Sequence, residues 1–162
     1  MERIFITQEQ KDLLLKDLCA RLPYGVKVQN IYNTETIGRL RSIDLDDYCY
    51  EIMFYTYEGK ALTVCDRSKL FRFGKVLRYK PYLFPLSSIT EEQKNDLIKH
   101  IDANVFVKDE ISFWSLFAAN MMDKWEKVFE WCDKNHFDYR GLIPMGLAID
   151  ATGLDIYTNS NE

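Results

Sequence analysis

The sequence predicts an α+β protein: a leading helix, a small antiparallel barrel of the SH3-like or Sm-like kind or else a curled sheet covered by helices, then a helical C-terminal half. Three observations lead there. Apolar residues recur at helical spacing before Pro23, the period shortens to two from Val26 onward, and helical spacing returns after Ser88. The switch near Ser88 divides the chain into 1–89, a helix with a sheet, and 90–162, a helical part expected to share its core.

The first helix begins at Thr7, where Thr7 and Gln10 have the spacing of a capping box that satisfies backbone donors left free at a helix start. Leu14, Leu15, Leu18, Cys19 and Leu22 supply a buried stripe, and Pro23 with Gly25 stops the helix. Strands are expected at Val26 to Ile31, Ile37 to Asp44, Tyr48 to Tyr57, Lys60 to Cys65, Leu70 to Val76 and Tyr82 to Leu86, with a turn at Glu58-Gly59. Asp44, Asp46 and Asp47 lack the glycine and glutamate of a calcium loop and are expected in the turn between two strands. Thr90 and Gln93 repeat the capping box ahead of Leu97, Ile98 and Ile101. A longer helix is expected to bury Trp114, Ala118, Met121, Trp125, Val128 and Cys132 as one seam, with Glu126 and Glu130 on its solvated face. Asn135 to Asp138 ends it, and Gly141, Pro144 and Gly146 leave a short broken helix or turn.

At 162 residues, 47% hydrophobic and 14% aromatic, the chain can bury a real core, which excludes a disordered protein. No apolar run approaches the roughly 20 residues a membrane-spanning helix needs, and MERIFITQEQKD lacks the basic and apolar regions of a secretion signal, so a cytoplasmic location is expected. Four cysteines without a C-x-x-C pair, and two histidines, predict free buried thiols and no metal or cofactor.

Charge is divided unevenly. Lys60 to Tyr82 holds seven basic residues against one acidic, while the remaining chain holds 14 against 24. Within that stretch Arg67, Lys69, Arg72, Lys75 and Arg78, interleaved with Phe71, Phe73, Tyr79 and Tyr82, have the composition of a single-strand nucleic-acid surface. Period-two geometry instead turns the aromatics away from several of the charges, as in an edge strand whose solvated lysines and arginines block sheet association. Cys132 and His136, four apart, are read as a core thiol and a helix-terminal histidine favoured by the dipole rather than a nucleophile pair. Neither a phosphate loop nor a hydrolase or zinc-protease motif occurs, so an enzyme is not expected. Tyr139 and Arg140 before Gly141 read as a chain segment held against a surface, its own or a partner's.

HFDYRGLIPMGLAIDATGLDIY (His136 to Tyr157), LLLKDLCARLPYGVKV (Leu13 to Val28) and KPYLFPLSSITEEQ (Lys80 to Gln93) together resemble a family of small proteins from phages and prophages of gut Bacteroidetes. The resemblance implies no particular activity. It implies an accessory protein of the host-cell cytoplasm that binds a host or phage protein, the alternative being a nucleic-acid module built on the basic stripe.

Overall fold

The computed structural model of the chain describes residues 4–46, 49–58, 61–72, 76–101 and 125–157. Both α-helix and β-sheet are present, as expected. Helix α1 (Gln8–Arg21) is capped as its sequence requires: Gln10 N–H donates to Thr7 Oγ1 at 3.2 Å and Thr7 N–H to Gln10 Oε1 at 3.0 Å. A turn of 3₁₀ helix with Pro23 in its first positions (Leu22–Tyr24) follows, and Gly25 closes it with φ 68°, a left-handed conformation that favours glycine. The buried face of α1 differs from the expected stripe. Leu14, Leu15 and Leu18 are buried, but Cys19 is exposed and Leu22 only half-buried, whereas Asp17 and Arg21 are fully enclosed. The 14-17-18-21 face satisfies the helical period as well as 15-18-19-22 does, and the two charges neutralise each other on it.

The sheet runs β4 (Ala61–Lys69), β3 (Cys49–Glu58), β2 (Asn33–Asp46), β1 (Lys27–Asn30), β7 (Tyr79–Pro85), each antiparallel to its neighbour. A separate pair, β5 (Phe71–Arg72) and β6 (Val76–Leu77), occupies the stretch expected as one strand. Asp44 and Asp46 lie within β2, opposite Glu51 and Cys49, rather than in a turn, and Asp47 falls outside the described residues. Extended backbone costs an aspartate little when a hairpin partner is at hand, and Ser42 Oγ donates to Asp44 at 3.0 Å.

Strand β7 joins the two parts of the chain. On its even-numbered side Ile31 N–H donates to Arg78 O (2.8 Å) and Phe84 N–H to His136 O (2.9 Å); on its odd side Ala151 N–H donates to Leu83 O (2.8 Å). Pro81 and Pro85 are both odd, so their missing N–H groups do not interrupt the ladder to β1. The added strands, β8 (Phe137–Asp138) and β9 (Ile149–Asp150), are parallel to β7, a departure from the all-antiparallel expectation. At two residues each they are too short to show a period of two.

Helix α2 (Glu91–His100) carries the second capping box, with Gln93 N–H on Thr90 Oγ1 at 3.2 Å. Helix α3 is described over Trp125–Lys134, so Trp114, Ala118 and Met121 lie outside the described residues. Val128 and Cys132 are buried as expected and Trp125 is half-buried, but the tryptophan filling the core is Trp131. Its ring stacks on Phe137 at 5.3 Å, and its indole N–H donates to Asp96 Oδ2 at 2.7 Å. Beyond α3, residues around Gly141 to Gly146 form turns. One apolar cluster gathers Leu14, Leu18, Val28, Leu40, Leu83 and Leu142 between α1 and the sheet; the other gathers Ile89, Leu97, Val128, Trp131 and Phe137 between α2 and α3. No helix of the described residues is long and apolar enough to cross a membrane.

Candidate functional site

The stripe and the Tyr139-Arg140 pair meet different fates. Arg67 and Lys69 belong to β4, which pairs only with β3 among the described residues; Arg72 belongs to β5, and Lys75 lies outside the described residues. Arg78 falls between β6 and β7, half-buried, with its guanidinium 5.8 Å from the Tyr79 ring. The stripe therefore spans three elements rather than one strand. Tyr79 and Tyr82 are buried, which removes them as base-stacking platforms.

Tyr139 and Arg140, by contrast, belong to a connected site. Its centre is Arg21, a charged side chain with no solvent exposure. Arg21 Nε and Nη2 donate to the two Asp17 oxygens at 2.8 and 3.0 Å, one helical turn back. Two more hydrogens go to main chain: Nη1 donates to Cys132 O at 3.1 Å and Nη2 to Phe137 O at 2.7 Å. Burial alone would weaken Arg21 as a base, but the Asp17 charge and hydrogen bond, with Asp133, raise its pKa above the ordinary value. Arg140 Nη1 bridges the two acids, 2.7 Å from Asp17 Oδ1 and 3.2 Å from Asp133 Oδ1. Two guanidinium groups and two carboxylates thus form a closed network, and the surface against which Tyr139-Arg140 is held is the protein's own.

Tyr139 finishes the network at its solvent side. Its hydroxyl donates to Asp133 Oδ2 at 3.2 Å, and burial followed by the Asp133 charge raises the phenol above its usual pKa. Burial likewise raises Asp133, against the pull of Arg21 and Arg140. The Arg140 guanidinium lies 4.2 Å from the Tyr139 ring centre. Phe129 stacks on the Tyr139 ring at 4.8 Å and 17°, and Trp125 stacks on Phe129 at 5.6 Å. Phe129 and Tyr139 wall an open groove of about 500 Å³ between α1 and α3, lined also by Glu126, Glu130 and Lys16. Phe129 is 37% exposed although two other rings stack with it.

Both carboxylates are committed to guanidinium groups. Burial pushes the Cys132 thiol up to about 12, which holds it protonated and non-nucleophilic. His136 departs from its reading as a dipole-favoured cation: it is buried beyond the end of α3 at φ 59°, with its ring stacked 4.0 Å from Tyr157. Burial, then the charges of Arg21, Arg39 and Lys27, lowers its pKa to about 3. Among the described residues no group of three His, Cys, Asp or Glu side chains could hold a metal ion.

The sequence reading missed Asp17, Arg21 and Asp133. The available signal was the spacing of Asp17 and Arg21, four apart on the same face as Leu14 and Leu18, which places an ion pair inside the apolar stripe. The Asp138 carboxylate closes the turn that follows it, accepting from Leu142 N–H at 2.8 Å and Ile143 N–H at 2.7 Å. No family model matches this chain, and no curated protein or solved structure matches it either.

Proposed function

We propose that this chain is a non-enzymatic binding protein, an accessory protein of a phage or prophage acting in the host cytoplasm, and that its partner is another protein docked in the α1–α3 groove. The observation that carries this is the exposed Phe129 in the Trp125–Phe129–Tyr139–Arg140 ladder, whose lower rung is fixed by the Arg21 network. A rigid aromatic anchor loses little conformational freedom on binding, and such rings dominate interface energetics. With Glu126 and Glu130 lining the groove, the fitting partner segment presents a lysine or arginine beside an apolar side chain. The same reading takes the sheet as open and curled, in keeping with its linear strand order, with helices as its cover.

The test is affinity capture of the tagged protein from infected host cells, identifying bound proteins and nucleic acids together, with Phe129→Glu in parallel. A protein recovered by the wild type, lost in Phe129→Glu and reconstituted from purified components supports the groove. Recovery unaffected by the substitution removes it. Nucleic acid whose retention falls steeply with salt, and falls again when Arg67 and Arg72 become glutamate, would place function on the stripe instead.

A further inference from the structure

A second cleft, of about 330 Å³, opens where the start of β1 and the middle of β2 face the end of α3; of its lining it shares only Tyr24 with the aromatic groove. Its charge is one-sided. Lys27, Arg39 and Lys134 line it, and among the described residues no aspartate or glutamate does, in a chain whose net charge is −4.

Two of these cations are placed against their mutual repulsion. In the β1–β2 ladder Lys27 and Arg39 are directly opposite, a like-charge cross-strand pair that disfavours the sheet. The Lys27 ammonium donates to Ile156 O, so it is anchored while remaining cationic, and burial together with Arg39 lowers its pKa. Arg39 has no carboxylate partner among the described residues and is laid against the backbone at Gly25: a Cβ there would fall 2.2 Å from Arg39 Nε and 2.6 Å from Cζ. Gly25 thus serves twice, once for its left-handed φ and once to admit the guanidinium.

The end of α3 would ordinarily repel an anion, because free carbonyls point from it. Here three of the last four are covered. Trp131 O accepts from Asn135 N–H and Nδ2, Cys132 O from Arg21, and Asp133 O from His136 N–H. Phe84 and Tyr157 add an apolar wall, their rings 5.9 Å apart.

We infer that this cleft binds a small phosphomonoester, its phosphate between Arg39, Lys27 and Lys134 and its organic body against Phe84 and Tyr157. A dianion offsets the repulsion among three cations better than a carboxylate does, and the arginine fork suits tetrahedral oxyanions. The volume lies at the small end of ligand pockets, roughly 300 to 1,000 Å³, and exceeds what phosphate alone requires.

Calorimetric titration of the whole chain at constant ionic strength tests this with phenyl phosphate, inorganic phosphate and benzoate. Phenyl phosphate is expected to saturate with Kd on the order of 0.1 mM or tighter, and benzoate and inorganic phosphate to bind about ten-fold more weakly. Arg39→Gln is expected to weaken phenyl phosphate about ten-fold, through loss of a charge-assisted contact, while melting no lower than the wild type because the like-charge pair is gone. Lys134→Gln, at an exposed position where folding is not at stake, is expected to weaken it several-fold. No saturation by phenyl phosphate at about 10 mM, affinity unchanged in both variants, or benzoate binding as tightly as phenyl phosphate overturns the inference. Inorganic phosphate binding as tightly as the ester overturns its organic half.

Discussion

Mild acid should destabilise this protein through one side chain. His136 is 7% exposed and stacked on Tyr157; its Nδ1 is buried with no hydrogen-bond partner, and the charges facing it are cations from three elements, Arg21 of α1, Lys27 of β1 and Arg39 of β2. A proton there meets repulsion and finds no acceptor. The folded pKa near 3 lies below the ordinary 6.5, so between those values the unfolded chain binds the proton and the native state does not. Stability from this group is complete above pH 6.5 and is lost as pH falls toward 3. From pH 7.5 to 5.0 the loss comes to about 2 kcal/mol, which for a chain of this size is a fall in Tm of roughly 4–8 °C. Asp133, whose pKa is raised, contributes with the opposite sign and is common to every variant that retains it. The perturbation is therefore His136→Asn, since asparagine tolerates the left-handed φ of 59° and cannot titrate. Thermal melts of both proteins at pH 7.5 and 5.0 should show the wild type losing those degrees and the variant, whatever its starting Tm, losing few of them. An equal loss in His136→Asn would refute the reasoning.

Three further substitutions probe the interior. Arg21→Met should cost roughly 3–5 kcal/mol in urea denaturation, because it strands Asp17 and two carbonyls away from water; an unmoved midpoint would mean that Arg140 alone neutralises the cluster. Trp131→Ala should cost roughly 3–5 kcal/mol, and the half-buried Trp125→Ala distinctly less; equal losses would show that the ranking by burial is wrong.

Much of the fold is legible because local chemistry and tertiary structure agree. Thr7 with Gln10, and Thr90 with Gln93, start helices for reasons contained within four residues, and Pro23 with Gly25 stops one in the same way. The strands from Lys27 to Lys69 declare themselves through β-prone runs. What stayed hidden depends on partners distant in sequence. Arg21 looks like a surface residue until the carbonyls of Cys132 and Phe137 are brought to it. Strands β8 and β9 exist only because β7 offers open backbone groups on both sides. The basic cleft was invisible because Lys27, Arg39 and Lys134 belong to three elements, while the stripe, conspicuous as a run of letters, is divided among β4, β5 and the approach to β7. Tyr139 and Arg140 stand out in the sequence, whereas the acids that hold them do not.

The Arg21 bonds to Cys132 and Phe137 span 111 and 116 residues, and they bear on the order in which the protein is made. During synthesis α1 leaves the ribosome with its ion pair and its leucines ready, yet the carbonyls that complete the guanidinium's shell, and the second arginine shared by Asp17, arrive only when residues up to 140 have emerged. Until then the Asp17–Arg21 pair on α1 and the even side of β7 beyond β1 lack part of their native cover. The nascent chain can therefore lay the leucines of its first helix on the sheet early, but it carries an incompletely satisfied ion pair there until α3 and β8 arrive, an interval in which binding by a chaperone would compete with completion of the fold.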